Sequence, residues 1–371
     1  MDKADDEQLM YKLALHLLPG IGPVSARNLV SYCGGVKEIF HTRKGELEKI
    51  PFIGSERAKE IIKYKNFQEI RDEVELIRKN NIQTLFYLDK NYPHRLRNCE
   101  DAPVMLFYKG IADLNAPKII SVVGTRHITT YGKEMTDRLI HEISEYQPLI
   151  VSGLAYGVDI QAHKAALKNN LHTVGVVAHG LDKMYPAENA ATADKMLSGG
   201  GLLSEYIHGT KPTRDNFPAR NRIVAGLTDA VVVIESATRG GALITAEIAN
   251  SYNRDVFALP GRINDIYSKG CHKLIRQNKA MIFENAADIA DAMNWNLKEK
   301  TTTHKQMQLF QDFLPDEQAI IQALNMKNLL SIDEIALTVM LPVSKVSSIL
   351  LNLEFSGVLT PLPGKIFKLN Q

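Results

Sequence analysis

Phe217-Pro218-Ala219-Arg220-Asn221-Arg222-Ile223-Val224-Ala225-Gly226-Leu227 decides how the rest of the chain is read. Upstream lies a glycine run ending in an acidic strand, Gly199-Gly200-Gly201-Leu202-Leu203-Ser204-Glu205-Tyr206. Downstream lies a strand of the buried type, Asp229-Ala230-Val231-Val232-Val233-Ile234-Glu235. Between them, Lys211, Arg214, Phe217, Arg220 and Arg222 crowd one turn, and Ala225-Gly226-Leu227 reads as a closely packed helix. A basic turn bearing an aromatic at a sheet edge suits a polyanion. The competing reading is a solvated loop that happens to be basic.

The strand pattern extends both ways from this stretch. Continuous apolar runs occur at 119–123, 149–152, 173–177, 202–205, 230–234, 255–259 and 280–283. Such runs, β-branched and without alternation, suit strands covered on both faces. Helical segments between them, such as 133–145 and 161–169, predict an α/β fold with a doubly wound, mainly parallel sheet. Ligands of such sheets bind beyond the carboxyl ends of the strands, where connections reverse.

That rule nominates the strand-ending turns. Gly124-Thr125-Arg126 offers close backbone approach and a guanidinium able to grip phosphate in bidentate fashion, without a full dinucleotide fingerprint. Ser152-Gly153 opens a turn through Gly157 into a helix, where Asp159 reads as a cap and His163 as a buried, hydrogen-bonded histidine. His179 and Asp182 read as structural. Gly240-Gly241, followed by Thr245, forms a small-residue turn shaped for phosphate. No nucleophile stands beside a base in a familiar arrangement, and no G-x-x-x-x-G-K-[ST] loop is present. The expected chemistry is anion grip rather than bond cleavage, with no cofactor and no metal.

The totals permit this and narrow the setting. At 371 residues, two or three domains are expected. A net charge of +2 means that any basic surface is local. Cys33, Cys99 and Cys271 are scattered, which suggests reduced thiols in the cytoplasm. The polar, acidic N-terminus argues against a secretory signal, and no apolar run reaches the roughly 20 residues that span a bilayer.

Residues 1–80 read as helices. Leu18-Pro19-Gly20-Ile21-Gly22-Pro23 and Ile50-Pro51-Phe52-Ile53-Gly54-Ser55 are related turns that resemble a tandem helix-hairpin-helix module, with Phe52 replacing a glycine of the second copy. Phosphate binding and plain helix connection both remain open for them. The Rossmann-like domain is expected over 81–295, with 81–117 a connector in which His94 and Arg95 read as surface or capping residues. A polar linker follows at 296–312. Three helices and a β-hairpin over 313–371 form a winged-helix pattern, with a capped helix start at Ser331-Ile332-Asp333-Glu334. Its recognition helix carries little charge, so protein contact and DNA contact both stand.

Together these motifs resemble the DNA-processing protein A (DprA, or Smf) family. The match rests on Val123-Gly124-Thr125-Arg126, Ser152-Gly153-Leu154-Ala155, Phe217-Pro218 with Arg220-Asn221-Arg222-Ile223, Leu243-Ile244-Thr245-Ala246 and Pro260-Gly261. The resemblance implies an extended Rossmann-like core that binds single-stranded DNA, dimerises and loads RecA recombinase during natural transformation. It also implies phosphate contacts at Arg126 and Arg214, a base contact at Phe217, and pocket-shaping roles for Arg220, Asn221 and Arg222 through pairing with Glu205 or Asp229. Gly240-Gly241-Ala242 departs from the family's commoner Ser-Gly-Ser, and Tyr156 replaces a usual basic residue. The rival is a nucleotide phosphoribohydrolase-type enzyme, faintly echoed by Gly240-Gly241 with Glu247.

Overall fold

In the computed structural model, residues 3–64, 66–295, 313–327, 329–356, 358–362 and 366–369 are described. They separate into two compact units, the larger ending at Trp295 and the smaller beginning at Phe313. The expected linker, 296–312, lies outside the described residues, as do Gly357 and residues 363–365.

The larger unit is built on nine strands: β1 (Gln83–Phe86), β2 (Met105–Gly110), β3 (Ile119–Val123), β4 (Leu149–Ser152), β5 (Thr173–Val177), β6 (Gly200–Ser204), β7 (Ala230–Val233), β8 (Asp255–Ala258) and β9 (Met281–Ile282). Their order is β1-β2-β6-β5-β4-β3-β7-β8-β9. From β6 to β9 every neighbour is parallel, while β2 joins β6, and β1 joins β2, antiparallel. The sheet is thus doubly wound and mainly parallel, as the runs imply. The chain steps outward from β3 to β6, then crosses back to place β7 on the other side of β3. The connection reverses at the β3–β7 pair, where Val123 lies opposite Val233.

Helices cover both faces, which explains why the strands lack alternation. On one face Ile120, Val122, Ile150 and Val232 pack against the helices Thr130–Ile143 and Val158–Lys168. On the other, Val123, Val151, Val176 and Val231 meet the helices Asn216–Gly226 and Gly241–Ser251. No single helix among the described residues is long and apolar enough to cross a membrane.

The segment 81–117 is more than a connection, because β1 and β2 extend the sheet and carry the N-terminal helices. Phe86, Met105 and Phe107 share a core with Leu13, Leu29 and Ile61. Arg95, expected at the surface, is buried: its guanidinium donates to Asp229 at 2.5 and 2.9 Å and to the carbonyls of Ala116 and Pro117. Asp229 is therefore spoken for by a residue 134 positions away. In the helical part, the two related turns share one left-handed position but not the next, where Gly22 has φ −82° and Gly54 +54°. Gly20 has φ +71° and Phe52, at the matching place, +66°. A bulky residue rarely adopts this conformation, and Phe52 is 70% exposed.

The smaller unit has helices Pro315–Lys327, Ile332–Val339 and Val343–Phe355 with strands β10 (Leu330–Ser331), β11 (Leu359–Leu362) and β12 (Ile366–Leu369), a winged-helix arrangement. Ser331 and Glu334 form the expected capping box.

Candidate nucleic-acid interface

A cleft of about 600 Å³ opens at the carboxyl ends of β3, β4 and β7, at the reversal. Its walls are three loops and two helix starts, and each is fixed by the core beneath it.

The loop after β3 is held by the end of β7. Thr125 N–H donates to Glu235 O (2.8 Å), and the buried Glu235 carboxylate accepts from the Thr129 hydroxyl (2.6 Å) and amide (3.0 Å). Gly157 lets the next loop approach, since it has φ +79° and any Cβ there would stand 2.1 Å from Thr125 O. With its backbone pinned, Arg126 projects outward as an exposed side chain, its guanidinium 5.5 Å from the centre of the Phe217 ring.

The floor is Arg220, buried to 5% exposure. Its Nη1 donates to Gly153 O (2.5 Å) and to Val176 O, and its Nε donates to Asn221 Oδ1 (3.3 Å). Only glycine at 153 permits this, because a Cβ would lie 2.6 Å from Arg220 Nη2. Asp159 does not cap its helix. Its carboxylate instead accepts from Gly153 N–H (3.1 Å), tying the helix back to the floor loop. Burial pushes the Asp159 carboxyl above the usual range, with Arg220 opposing, and burial pushes the Arg220 guanidinium down. One turn on, His163 is fully buried. Its Nδ1 donates to Thr173 Oγ1 (2.6 Å), whose hydroxyl donates to Ile150 O (3.0 Å). Burial, with the Arg220 charge adding to it, lowers the His163 pKa to about 3.

The far wall is the loop after β7 with the start of the Gly241–Ser251 helix, including Ser236, Arg239, Gly240 and Gly241. A helix start presents unpaired amides and positive partial charge. Thr245 is buried and donates to Gly241 O (3.1 Å), so it braces this turn.

Eleven of the fourteen residues expected at the site line this cleft: Gly124, Thr125, Arg126, Gly153, Arg214, Phe217, Arg220, Asn221, Gly240, Gly241 and Thr245. Three do not. Ser152 is fully buried and donates to Val122 O (2.6 Å), so it serves the sheet. Lys211 is exposed on the approach, outside the lining. Arg222 points away from the cleft and grips Glu205 at 2.6 and 2.7 Å. The pairing with Glu205 thus occurs on the back of the helix that carries Phe217. The geometry adds Arg239, Tyr185 and Asp159 to the lining. Arg239 follows the same strand-end rule, and its signal was the turn after β7. Tyr185 arrives through a loop that no local pattern ties to the cleft. Glu247, the acid of the enzyme reading, lies outside the lining and pairs with Lys279 at 3.5 Å.

The charge is one-sided. Arg126, Arg214 and Arg239 are exposed, and none has a carboxylate partner among the described residues. The cleft's carboxylate, Asp159, is turned into the floor. Free guanidinia around an aromatic ring and an amide-rich turn can hold phosphates and stack a base.

Comparison with known proteins identifies the family. Residues 83–294 match the model of DNA recombination-mediator protein A, and residues 312–365 match that of the DprA winged helix domain. Protein Smf of Synechocystis is 36% identical over 283 residues, covering 75% of this chain and 71% of its own. The structure of DNA processing protein A from Streptococcus pneumoniae superposes with a TM-score of 0.67 at 34% identity, covering 76% of this chain and 97% of its own. That of Helicobacter pylori, solved for its single-stranded DNA binding mode, gives 0.52 at 31% identity over 57% of this chain and 95% of its own. This chain belongs to the DNA recombination-mediator protein A (DprA/Smf) family.

Proposed function

We propose that the chain binds single-stranded DNA in the cleft, without strong sequence preference, and as a homodimer delivers the strand to RecA recombinase. The observation that carries the reading is the set of three arginines without a carboxylate partner among the described residues, Arg126, Arg214 and Arg239, lining one cleft with the half-buried Phe217 ring, over which Arg126 lies. Phosphate grip with a stacking surface is what sequence-tolerant strand binding requires. The Helicobacter pylori relative, whose structure concerns single-stranded DNA binding, supports the ligand. The family description as a recombination mediator supports the hand-over to RecA. In a dimer, two clefts on one strand would add avidity.

The test is fluorescence anisotropy of a labelled oligo-dT over a salt series, with a duplex of equal length alongside. Salt-sensitive binding that prefers the single strand is expected. Equal affinity for the duplex, or no binding at low salt, overturns the reading. Light scattering then reports the dimer. RecA assembly on a strand precoated with single-strand-binding protein, with and without this chain, reports the hand-over.

A further inference from the structure

Two exposed tyrosines stand near the mouth of the cleft, and they differ. Tyr156 is tethered: its hydroxyl donates to Glu188 at 2.7 Å, and it does not line the main cavity. Tyr185 lines both the main cavity and a smaller one beside it, as Phe217 does. The residue is 45% exposed, and its hydroxyl makes no hydrogen bond among the described residues. The Tyr185 and Phe217 ring centres are 5.9 Å apart at an angle of 48°.

The backbone that delivers this ring is anchored. Tyr185 N–H donates to His179 Nε2 (3.2 Å), and His179 is 1% exposed with its Nδ1 donating to Gly180 O (2.8 Å). The Ser204 hydroxyl at the end of β6 holds His179 O at 2.6 Å. A large aromatic fixed at its backbone, free at its tip and open to solvent beside a basic cleft is a ready surface for a base.

We propose that Tyr185 is a second base-stacking residue, so that the cleft takes two consecutive unpaired nucleotides, one base against Phe217 and its neighbour against Tyr185. The inference rests on the single-strand reading above. The 48° tilt between the rings splays the two bases, which a duplex stack does not allow. Arg126, already over the Phe217 ring, stands where it can take the phosphate that links them.

The test uses the full chain with oligo-dT and with an equal-length strand of abasic sugar-phosphate units. Tyr185→Ala is expected to weaken oligo-dT binding by about 5- to 150-fold, the range for one stacked base. Its affinity for the abasic strand and the slope of log affinity against log salt should match wild type, since no charge is removed. Tyr185→Phe should bind oligo-dT as wild type does, and both variants should keep the wild-type melting temperature. Oligo-dT affinity within twofold of wild type for Tyr185→Ala overturns the proposal. So does an equal loss on both strands, which would make the ring a structural support. Failure of wild type to bind either strand would instead sink the single-strand reading itself.

Discussion

The cleft and the Val343–Phe355 helix of the winged-helix unit are both placed where their folds commonly meet DNA, yet their surfaces are opposites. Around the cleft, Arg126, Arg214 and Arg239 stand free of carboxylates among the described residues. On the winged-helix unit, Lys345 is paired with Asp316 at 2.5 Å, and the helix exposes Val343, Leu351 and Phe355. The interiors differ too. Beneath the cleft lie buried Arg220, Asp159 and His163, whereas the described core of the smaller unit is wholly apolar, from Ile320 to Leu359. A net charge of +2 hides both facts. Fold type nominates a surface, and charge left unpaired decides whether that surface suits a polyanion.

The largest way to break the contrast is to remove the buried charge. Arg220→Ala should destabilise the larger unit by about 3–5 kcal/mol, the range for breaking a buried charged network. The Gly153 and Val176 carbonyls would lose their donor and Asp159 its counter-charge. Chemical denaturation should show that loss while the winged-helix transition stays put. An unchanged midpoint would mean that water substitutes for the guanidinium.

Acid sharpens the same contrast. Burial holds the His163 pKa near 3, below its unfolded value of 6.5, so the folded state binds fewer protons across that window. The stability contributed by keeping His163 neutral is therefore complete above pH 6.5 and declines by about 1.4 kcal/mol per unit as pH falls toward 3. His163→Gln should flatten this decline in melts from pH 7 to 4.5. A slope identical to wild type would place the acid sensitivity elsewhere.

The exposed arginines should behave in the reverse way. Arg126→Glu or Arg214→Glu should cost oligo-dT affinity of at least about 1.5–3 kcal/mol, as for a charged hydrogen bond, and reduce the salt slope by about 0.7 for each phosphate no longer neutralised. Thermal stability should hold, because neither side chain has an ion-pair partner among the described residues to lose. Full affinity in both variants would move the phosphate path out of the cleft. Phe217→Ala comes next, at about 1–3 kcal/mol of affinity with an unchanged salt slope. A changed slope would show that the ring matters through the Arg126 guanidinium it carries rather than through a base.

Much of this was legible in the sequence because the signals are local. The parallel strands β3 to β8 showed as continuous apolar runs, since burial on both faces removes alternation, while the edge strand β9 exposes Met281 and Ile282. The site followed from the glycines that end β3 and β4 and open the Gly241–Ser251 helix. What stayed hidden depends on contacts that no local pattern announces. Arg95 looked like a surface residue because nothing nearby reveals Asp229 at the foot of β7. Arg222 sits beside cleft-facing neighbours in sequence, but the helix turns it to Glu205. Asp159 at a helix start looks like a cap, and only the fold brings Gly153 N–H to it. Tyr185 depends on His179 and the end of β6, which no periodicity links to Phe217.

The smallest effect tests the other side of the comparison. Lys345→Ala removes the lysine of the Val343–Phe355 helix, with its Asp316 partner 41% exposed. An exposed pair is worth about 0.2–1 kcal/mol, so the winged-helix unit should melt only slightly lower. DNA affinity should not change, because a lysine already answered by a carboxylate has little attraction left for phosphate. The expected result is oligo-dT and duplex binding superimposable on wild type at every salt concentration. A drop in duplex affinity with a shallower salt slope would mean that Lys345 exchanges Asp316 for a phosphate on binding. The winged-helix surface would then be a second DNA-binding face whose charge is held in reserve, and the contrast between the two units would describe only the unbound protein.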